Sequence, residues 1–333
     1  MREIHKASGG PWGGIYVDQS FFEWLKGIFG ERAVQETCND YEEYLYMQRE
    51  FETKKRAFRF DSTSQVMFRV PSKLRNLSEK YAGKSLSSLI SGKGLGEQVV
   101  LAAEDKLKIK PSVLKSCMDV PLTSLFEHVR KLLLEPTMLS VNTVILVGGF
   151  GESNYVKERM EKEFPDKQVK VPNEAGLVVL KGAVLFGHLP RLVTSRVVKS
   201  TFGIALDQMY HDRLSVQRTT VIGSERVTMG CFKIFVEAET EMDVDAEVSH
   251  EFTANGPDIS LLEVFQSIKQ KPLYVDEAGC TKLGDLIVKH PGRGKKEDKK
   301  IVVTFLFGKT ELMVKYRIKE TGKEEYLKIE CLT

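Results

Sequence analysis

The sequence lacks the features of membrane and secreted proteins. No apolar run in its 333 residues approaches the length of about 18 residues that a membrane-spanning helix needs. The first residues, Met1 to His5, also lack the apolar segment of a signal peptide. We therefore expect a cytoplasmic protein with no membrane insertion.

A large excess of either charge is also missing. The 49 Lys and Arg residues nearly balance the 46 Asp and Glu residues and leave a net charge of +3, too little for a general polyanion binder. This balance argues against nucleic acid as a partner. The five cysteines are scattered, with no Cys-x-x-Cys pair, which predicts reduced thiols and neither a disulfide framework nor a zinc site.

The periodicity of the sequence changes near residue 190. Residues 1–189 show helical periodicity and Gly-rich turns, which predicts an α/β domain, whereas residues 190–333 show short alternating strands. In the first part, Asp18 is the expected N-cap of a helix that Gly30 ends. A second helix is expected to open at Asp119-Val120-Pro121 and to end near Pro136.

Residues 60–115 are polar and irregular, and we expect either a mobile subdomain or a partly ordered insertion there, within an insertion of about 40–118. In the second part, alternation in 301–307 and 312–318 around Gly308-Lys309 predicts a hairpin, and a further strand is expected up to Ile329. This pattern predicts a meander of antiparallel strands in a sandwich or compact β-domain. The basic loop 289–300 is expected to be either solvated or a contact for an acidic partner.

The most informative stretch is 143–153, an apolar segment that runs into Gly148 and Gly149. It predicts a buried parallel strand, a Gly turn and then a helix. Glycines at such a turn let the backbone approach a flat or anionic ligand. A tight turn without any ligand explains the same glycines, because Gly is also used for close packing.

A second strand, turn and helix follow within twenty residues, at 169–171, 172–176 and 177–187. The small residues Ala175, Gly176, Gly182 and Ala183 predict that this last helix packs close to its neighbours. Together with the Gly-rich run 6–14 and the Glu-x-x-Lys-Arg pattern that begins at Glu52, these motifs resemble the actin-like ATPase of the 70 kDa heat-shock protein family. The similarity is greatest to its divergent heat shock 70 kDa protein 12 branch.

The resemblance implies a fold and a set of site residues. The fold would be the C-terminal, adenosine-side lobe of an actin-like, ribonuclease H-like ATPase domain, followed by a β-sandwich that resembles a substrate-binding domain. The ligand would be ATP or ADP, bound weakly. Glycine would face the phosphates, Glu52 would accept from the ribose, and Lys55 with Arg56 would flank the adenine. The implied nucleotide-binding residues are Gly13, Gly14, Glu52, Lys55, Arg56, Gly148, Gly149, Phe150 and Asn173. The alternative interpretation of Glu52 to Arg56 is a charged, solvent-facing helix surface.

The sequence also departs from the family pattern. It contains no Asp-x-Gly phosphate loop, and phosphoryl transfer depends on such positioning groups and on charge neutralisation. Phe150 stands where the family has Ser, and Asn173 where it has Asp. We therefore expect a truncated, chaperone-like or adaptor protein for protein clients, with residual nucleotide binding, no hydrolysis and no Mg²⁺ held by this chain alone.

Two other functions remain open at this point: a nucleotide-independent protein-interaction module and an actin-fold sugar kinase. The segment from Arg2 to Ala7 is expected to form a strand with an unpaired edge. An open edge beside apolar surface favours association, so self-association through this edge is a further expectation.

Overall fold

The chain folds into two units. The computed structural model describes residues 1–92, 94–254, 258–290, 299–307 and 312–329. One unit is Gly9–Gly187, and the other combines Met1–Ser8 with His188–Thr333. The first is mixed α/β and the second is built from antiparallel sheets, which confirms a mixed α/β part followed by a β-rich part.

The α/β unit contains long helices and two small sheets. Strands β1, β3 and β2 form an antiparallel sheet in that order, and β4 pairs with β5 in parallel. The helices are α1 (Gly14–Phe29), α2 (Glu31–Cys38), α3 (Tyr41–Ala57), α4 (Ser72–Ala82), α5 (Leu86–Gly92), α6 (Pro111–Leu133), α7 (Gly148–Gly151), α8 (Asn154–Glu163) and α9 (Ala175–His188). The strands are β1 (Val66–Arg69), β2 (Val99–Ala103), β3 (Lys106–Ile109), β4 (Thr143–Ile145) and β5 (Gln168–Lys170).

The core of this unit forms where α1 packs on its neighbours. Val17, Phe21, Leu25 and Ile28 recur at helical spacing and are almost completely buried, as expected for the apolar stripe of an amphipathic helix. The Phe21 ring stacks on Phe51 of α3 at a centroid distance of 3.8 Å. This stack holds α1 against α3, the two helices that carry the candidate site.

Two predicted helix starts are wrong. Helix α1 begins at Gly14, so Asp18 lies inside it and accepts a hydrogen bond from Lys55 instead of capping the helix. Helix α6 begins at Pro111 and contains Pro121 in its interior. Proline is common at the first position of a helix, and both prolines have this residue type. The predicted start was placed at the later one.

The segment 60–115 is an integrated part of the α/β unit. It supplies β1, β2, β3, α4 and α5, and its apolar residues Leu74, Leu86 and Leu107 are buried in the common core. The expectation of a partly ordered insertion is therefore wrong for the residues described, whereas that of a mobile subdomain stays a prediction. The segment's apolar residues are too widely spaced for a simple periodic pattern, and they come together only in the folded core, from helices α4 and α5 and strand β3.

The strand–turn–helix sequence of 143–187 is confirmed in its order, but its burial is not as expected. Strand β4 runs parallel to β5 but is not buried, since 60% of Ile145 is exposed. Close packing by small residues is confirmed only at the start of α9, where Ala175 is buried and a Cβ on Gly176 would lie 3.1 Å from Glu152. It is wrong for Gly182 and Ala183, which are exposed. Large apolar side chains on α9 are exposed instead, namely Leu177, Val179, Leu180, Val184 and Leu185.

The β unit consists of three antiparallel sheets. The four-stranded sheet has the order β11-β14-β15-β16, the five-stranded sheet has the order β13-β12-β7-β9-β8, and β10 pairs with β6. The strands are β6 (Ser195–Val197), β7 (Thr201–Met209), β8 (Thr219–Ile222), β9 (Glu225–Val236), β10 (Glu241–Asp243), β11 (Glu247–Thr253), β12 (Ile259–Ser267), β13 (Cys280–Lys289), β14 (Lys300–Leu306), β15 (Leu312–Ile318) and β16 (Glu324–Ile329).

The predicted C-terminal meander is confirmed. Val303 pairs with Tyr316 between β14 and β15, and Val314 pairs with Leu327 between β15 and β16. Alternate residues of β14 and β15 enter one apolar core that includes Phe305, as period-two alternation requires. The turn at Gly308-Lys309 and most of the basic loop, 291–298, lie outside the described residues.

The first residues of the chain do not form the predicted strand. Arg2 makes a single parallel bridge to Ser195, and the main-chain N–H of Thr194 donates to the Met1 carbonyl oxygen at 2.8 Å. Glu3 accepts from the main-chain N–H of Val197 at 3.0 Å. The segment is therefore attached to the start of β6 by a few hydrogen bonds, and the expectation of a strand from Arg2 to Ala7 is wrong.

Over the residues described, no helix has both the length and the apolar character needed to cross a bilayer. Cysteines 38, 117, 231 and 280 are all free thiols.

Gly203 of β7 gives a test of the packing in the β unit. A Cβ at this position would meet the main-chain carbonyl oxygen of Lys233 on the neighbouring strand. We expect Gly203→Ala to lower the free energy of unfolding by about 3 kcal/mol, because the backbone has to move. Urea unfolding followed by circular dichroism measures this change.

The matched control is Gly284→Ala in β13 of the same sheet, where the new Cβ meets only the flexible end of the Leu327 side chain. We expect this variant to lose less than about 1 kcal/mol. Equal losses in the two variants would contradict the described register.

Candidate functional site

The α/β unit contains a cleft of about 420 Å³. It lies where the first turns of α1 meet the end of α3, the middle of α6 and the turn around α7. Its volume is within the range of small-molecule sites. The residues that line it are Gly14, Ile15, Asp18, Glu52, Lys55, Arg56, Met118, Gly149, Phe150, Glu152 and Ser153.

Helix α3 contributes three of the charged side chains. Glu52, Lys55 and Arg56 are spaced at i, i+3 and i+4, which places them on one face of a helix. Asp40 caps the start of this helix by accepting from the main-chain N–H of Glu42. The position of the face is fixed by Phe51, which packs in the core beside it.

Lys55 is the central charge of the cleft. Its Nζ lies 2.6 Å from Asp18 Oδ1 and 2.6 Å from Glu52 Oε2, and it donates to the Gly14 carbonyl oxygen at 3.4 Å. Only 10% of its side chain is exposed. The ammonium therefore joins α1 to α3 across the cleft, and two carboxylates balance its charge.

The two carboxylates that share this ammonium have pKa values shifted in opposite directions. Burial raises the pKa of Asp18 above its usual value, and the hydrogen bond from Lys55 only partly opposes this. Burial acts in the same sense on Glu52, but hydrogen bonds from Lys55 and Arg56 outweigh it, so the pKa of Glu52 lies below its usual value. The difference has a physical cause, since Glu52 is more exposed than Asp18 and has a second cation beside it.

Further polar groups line the cleft. Arg56 Nε donates to Glu52 Oε1 at 2.6 Å, while Glu152 accepts from the main-chain N–H of Gly176 at 2.6 Å. The hydroxyl of Ser153 is buried and has no hydrogen-bond partner. The cleft thus offers carboxylate oxygens and a guanidinium to a ligand.

The glycines keep part of the cleft open. Gly148 has φ of +79°, a conformation that other residues rarely adopt. A Cβ on Gly149 would meet nothing within 4 Å, whereas one on Gly14 would lie 3.6 Å from both Lys55 Nζ and the Phe150 ring. The backbone at Gly149, within α7, is therefore the part of the cleft that is free of side chains.

Six of the nine residues implied by the sequence line the cleft together: Gly14, Glu52, Lys55, Arg56, Gly149 and Phe150. Gly13, Gly148 and Asn173 do not line it, and Asn173 is exposed in the turn before α9. Sequence reasoning missed Asp18, Glu152, Ile15, Met118 and Ser153. The spacing of four residues between Gly14 and Asp18 is a signal that could have found Asp18, because it places both on one helix face.

No group of three or more His, Cys, Asp or Glu side chains in the described part of the chain is arranged to hold a metal ion.

Comparison with known proteins identifies relatives of the chain. No protein-family model matches it. It is 25% identical over 320 residues to heat shock 70 kDa protein 12A of Mus musculus and of Homo sapiens, which covers 94% of this chain and 47% of each relative. The chain is a distant homologue of heat shock 70 kDa protein 12A.

Heat shock 70 kDa protein 12B of Homo sapiens is also similar, with 25% identity over 292 residues that cover 86% of this chain and 42% of the relative. The resemblance to the heat shock 70 kDa protein 12 branch, stated from sequence motifs, is confirmed. The chain spans about half the length of the curated relatives it matches.

The charge network around Lys55 gives a test by substitution and pH. We expect Lys55→Met to lower the free energy of unfolding at pH 7 by about 2–3 kcal/mol, because it leaves two carboxylates without their shared cation. This deficit should shrink as the pH falls, since protonated Asp18 and Glu52 no longer need the cation. Denaturant unfolding of both proteins between pH 7 and pH 3 measures the deficit.

The sign of the pH effect follows from the shifts in the native protein. The lowered pKa of Glu52 stabilises the folded state above its ordinary pKa of 4.5, and this contribution is lost as the pH falls. The raised pKa of Asp18 acts in the opposite sense: it stabilises the folded state at low pH, and this contribution is lost as the pH rises. The matched control is Lys54→Met, which breaks only a longer, partly exposed pair with Glu50 at 3.7 Å and should change stability by less than about 1 kcal/mol. A Lys55→Met deficit that does not vary with pH would contradict the described network.

Proposed function

We propose that the cleft binds the adenosine part of a nucleotide and that the chain acts as a chaperone-like or adaptor protein of the heat shock 70 kDa protein 12 type. The observation that carries this proposal is the meeting of Gly14, Glu52, Arg56 and Gly149 at one cleft. These residues are far apart in sequence, and the family resemblance assigns all of them to the nucleotide. Distant homology to heat shock 70 kDa protein 12A supports a broad relation to actin-like ATPases.

The chemistry of the cleft suits a nucleoside. The carboxylate of Glu52 can accept hydrogen bonds from ribose hydroxyls. The planar guanidinium of Arg56, 64% exposed, can stack on a purine. The ring of Phe150 and the bare backbone at Gly149 provide flat surface for the base.

We further propose how the two units relate to the family fold. The α/β unit corresponds to the adenosine-side lobe of an actin-like ATPase, and the β unit corresponds to a substrate-binding-like sandwich that contacts protein clients. ATP or ADP would bind weakly, through the adenosine part, without a Mg²⁺ site supplied by this chain.

A nucleotide-independent interaction module is the second candidate. The observation that favours it is the apolar surface of α9, where more than half of Leu180 and of Val184 is exposed. Apolar surface of this kind marks sites of protein contact. The edge expected for self-association, Arg2 to Ala7, is not a strand, so we place the proposed self-association instead on the sheet of β4 and β5, which pair only with each other among the described strands.

Two substitutions test nucleoside binding. We expect Arg56→Ala to weaken adenosine binding by about five-fold or more, because a stacking cation is lost. Gly149→Val should weaken it by a similar factor, since its side chain enters open space in the cleft without a clash. Isothermal titration calorimetry with adenosine and ADP measures both effects.

The control is Lys54→Ala, which removes a cation from the same helix but outside the cleft. It should leave the affinity unchanged. A thermal shift with nucleotide is a second readout, because a ligand at a hundred times its Kd stabilises by about 2.7 kcal/mol. Equal affinity in all three variants, or no thermal shift at all, would favour the nucleotide-independent module.

We expect no ATP hydrolysis by this chain. The sequence has no Asp-x-Gly loop to position phosphates. The rate of phosphate release from ATP should therefore be at background and identical in the native chain and in Gly149→Val. A rate that this substitution abolishes would show that the chain is an enzyme.

A further inference from the structure

The net charge of the cleft lining, and the pairing of its charged groups with one another, limit which ligands the cleft can bind. Five ionisable side chains line it: the carboxylates Asp18, Glu52 and Glu152 and the cations Lys55 and Arg56. With all five ionised, the lining has an excess of one negative charge. Even if Asp18 is protonated, no positive excess remains.

Both cations are already bonded to carboxylates. Lys55 is bonded to Asp18 and Glu52, and Arg56 is bonded to Glu52, all at 2.6 Å. An anionic ligand would have to compete with these carboxylates for each cation. Sites that bind phosphate usually offer cations or main-chain N–H groups that are free to pair with it.

The third carboxylate adds to this effect. Glu152 is exposed and forms no direct ion pair within the described residues; its carboxylate accepts from the main-chain N–H of Gly176 and interacts electrostatically with Arg56. Its charge at the cleft is therefore only partly compensated. A phosphate group near this carboxylate would be repelled, whereas hydroxyl or amino groups of an uncharged ligand could donate to it.

Resting on the proposed nucleoside site, we infer that the cleft selects an uncharged nucleoside over the corresponding nucleoside di- or triphosphate. The repulsion is electrostatic and acts through solvent, so it is strongest at low ionic strength and is screened as salt increases. This salt dependence is opposite to that of a site that attracts phosphate.

Calorimetric titration of the full chain with adenosine, AMP, ADP and ATP tests the inference, in buffer with EDTA so that the phosphates keep their charge. At an ionic strength of about 0.02 M we expect adenosine to bind about ten-fold more tightly than ATP, and the ratio to fall toward unity near 0.5 M. AMP and ADP should lie in between.

The substitution Glu152→Gln makes the test specific. A glutamine keeps an oxygen that can accept from the Gly176 N–H but removes the charge. The ratio of ATP affinity to adenosine affinity should rise at least about three-fold at low salt. The control Glu161→Gln, on α8 and outside the cleft, changes the net charge of the chain equally and should leave the ratio unchanged.

The outcomes separate this inference from the proposed function. If ATP binds more tightly than adenosine and salt weakens it, the inference is wrong and the nucleotide site stands. If adenosine binds more tightly but neither salt nor Glu152→Gln changes the ratio, charge is not the cause and the inference is overturned. If none of the four compounds binds, both are overturned.

Discussion

The α/β unit depends on one buried ammonium. Lys55 of α3 is bonded to Asp18 and to the Gly14 carbonyl oxygen of α1, beside the stacked rings of Phe21 and Phe51. A charge this far from solvent is stable only when opposite charges and hydrogen bonds compensate for its lost hydration. That requirement fixes the relative position of the two helices, and the cleft is the space left beside the compensated charge.

The same compensation determines what the cleft can bind. Because its cations are held by its own carboxylates, recognition has to come from stacking, hydroxyl contacts and shape. Phe150, the bare backbone at Gly149 and the exposed carboxylate of Glu152 supply these. These features suit the flat, neutral and polar ligand proposed above, a nucleoside without its phosphates.

Sequence alone predicted the features that depend on local pattern. The period of the C-terminal strands and the order of strand, Gly turn and helix in 143–187 are local, and both are confirmed. Features that depend on distant contacts were missed. Asp18 has the residue type of an N-cap, and only the position of Lys55, 37 residues later, reveals it as an ion-pair partner. Glu152 likewise enters the cleft only because α7 and α3 come together.

Binding at this cleft can be observed directly through Met118, which is buried and lines it. With ¹³C-methyl labels on the ten methionines, titration with adenosine should shift the Met118 methyl signal in a saturable manner. Met209 and Met229, exposed in the β unit, should not move and serve as internal references. A Met118 signal that stays fixed at millimolar adenosine, or equal shifts of all the methionines, would contradict nucleoside binding at this site.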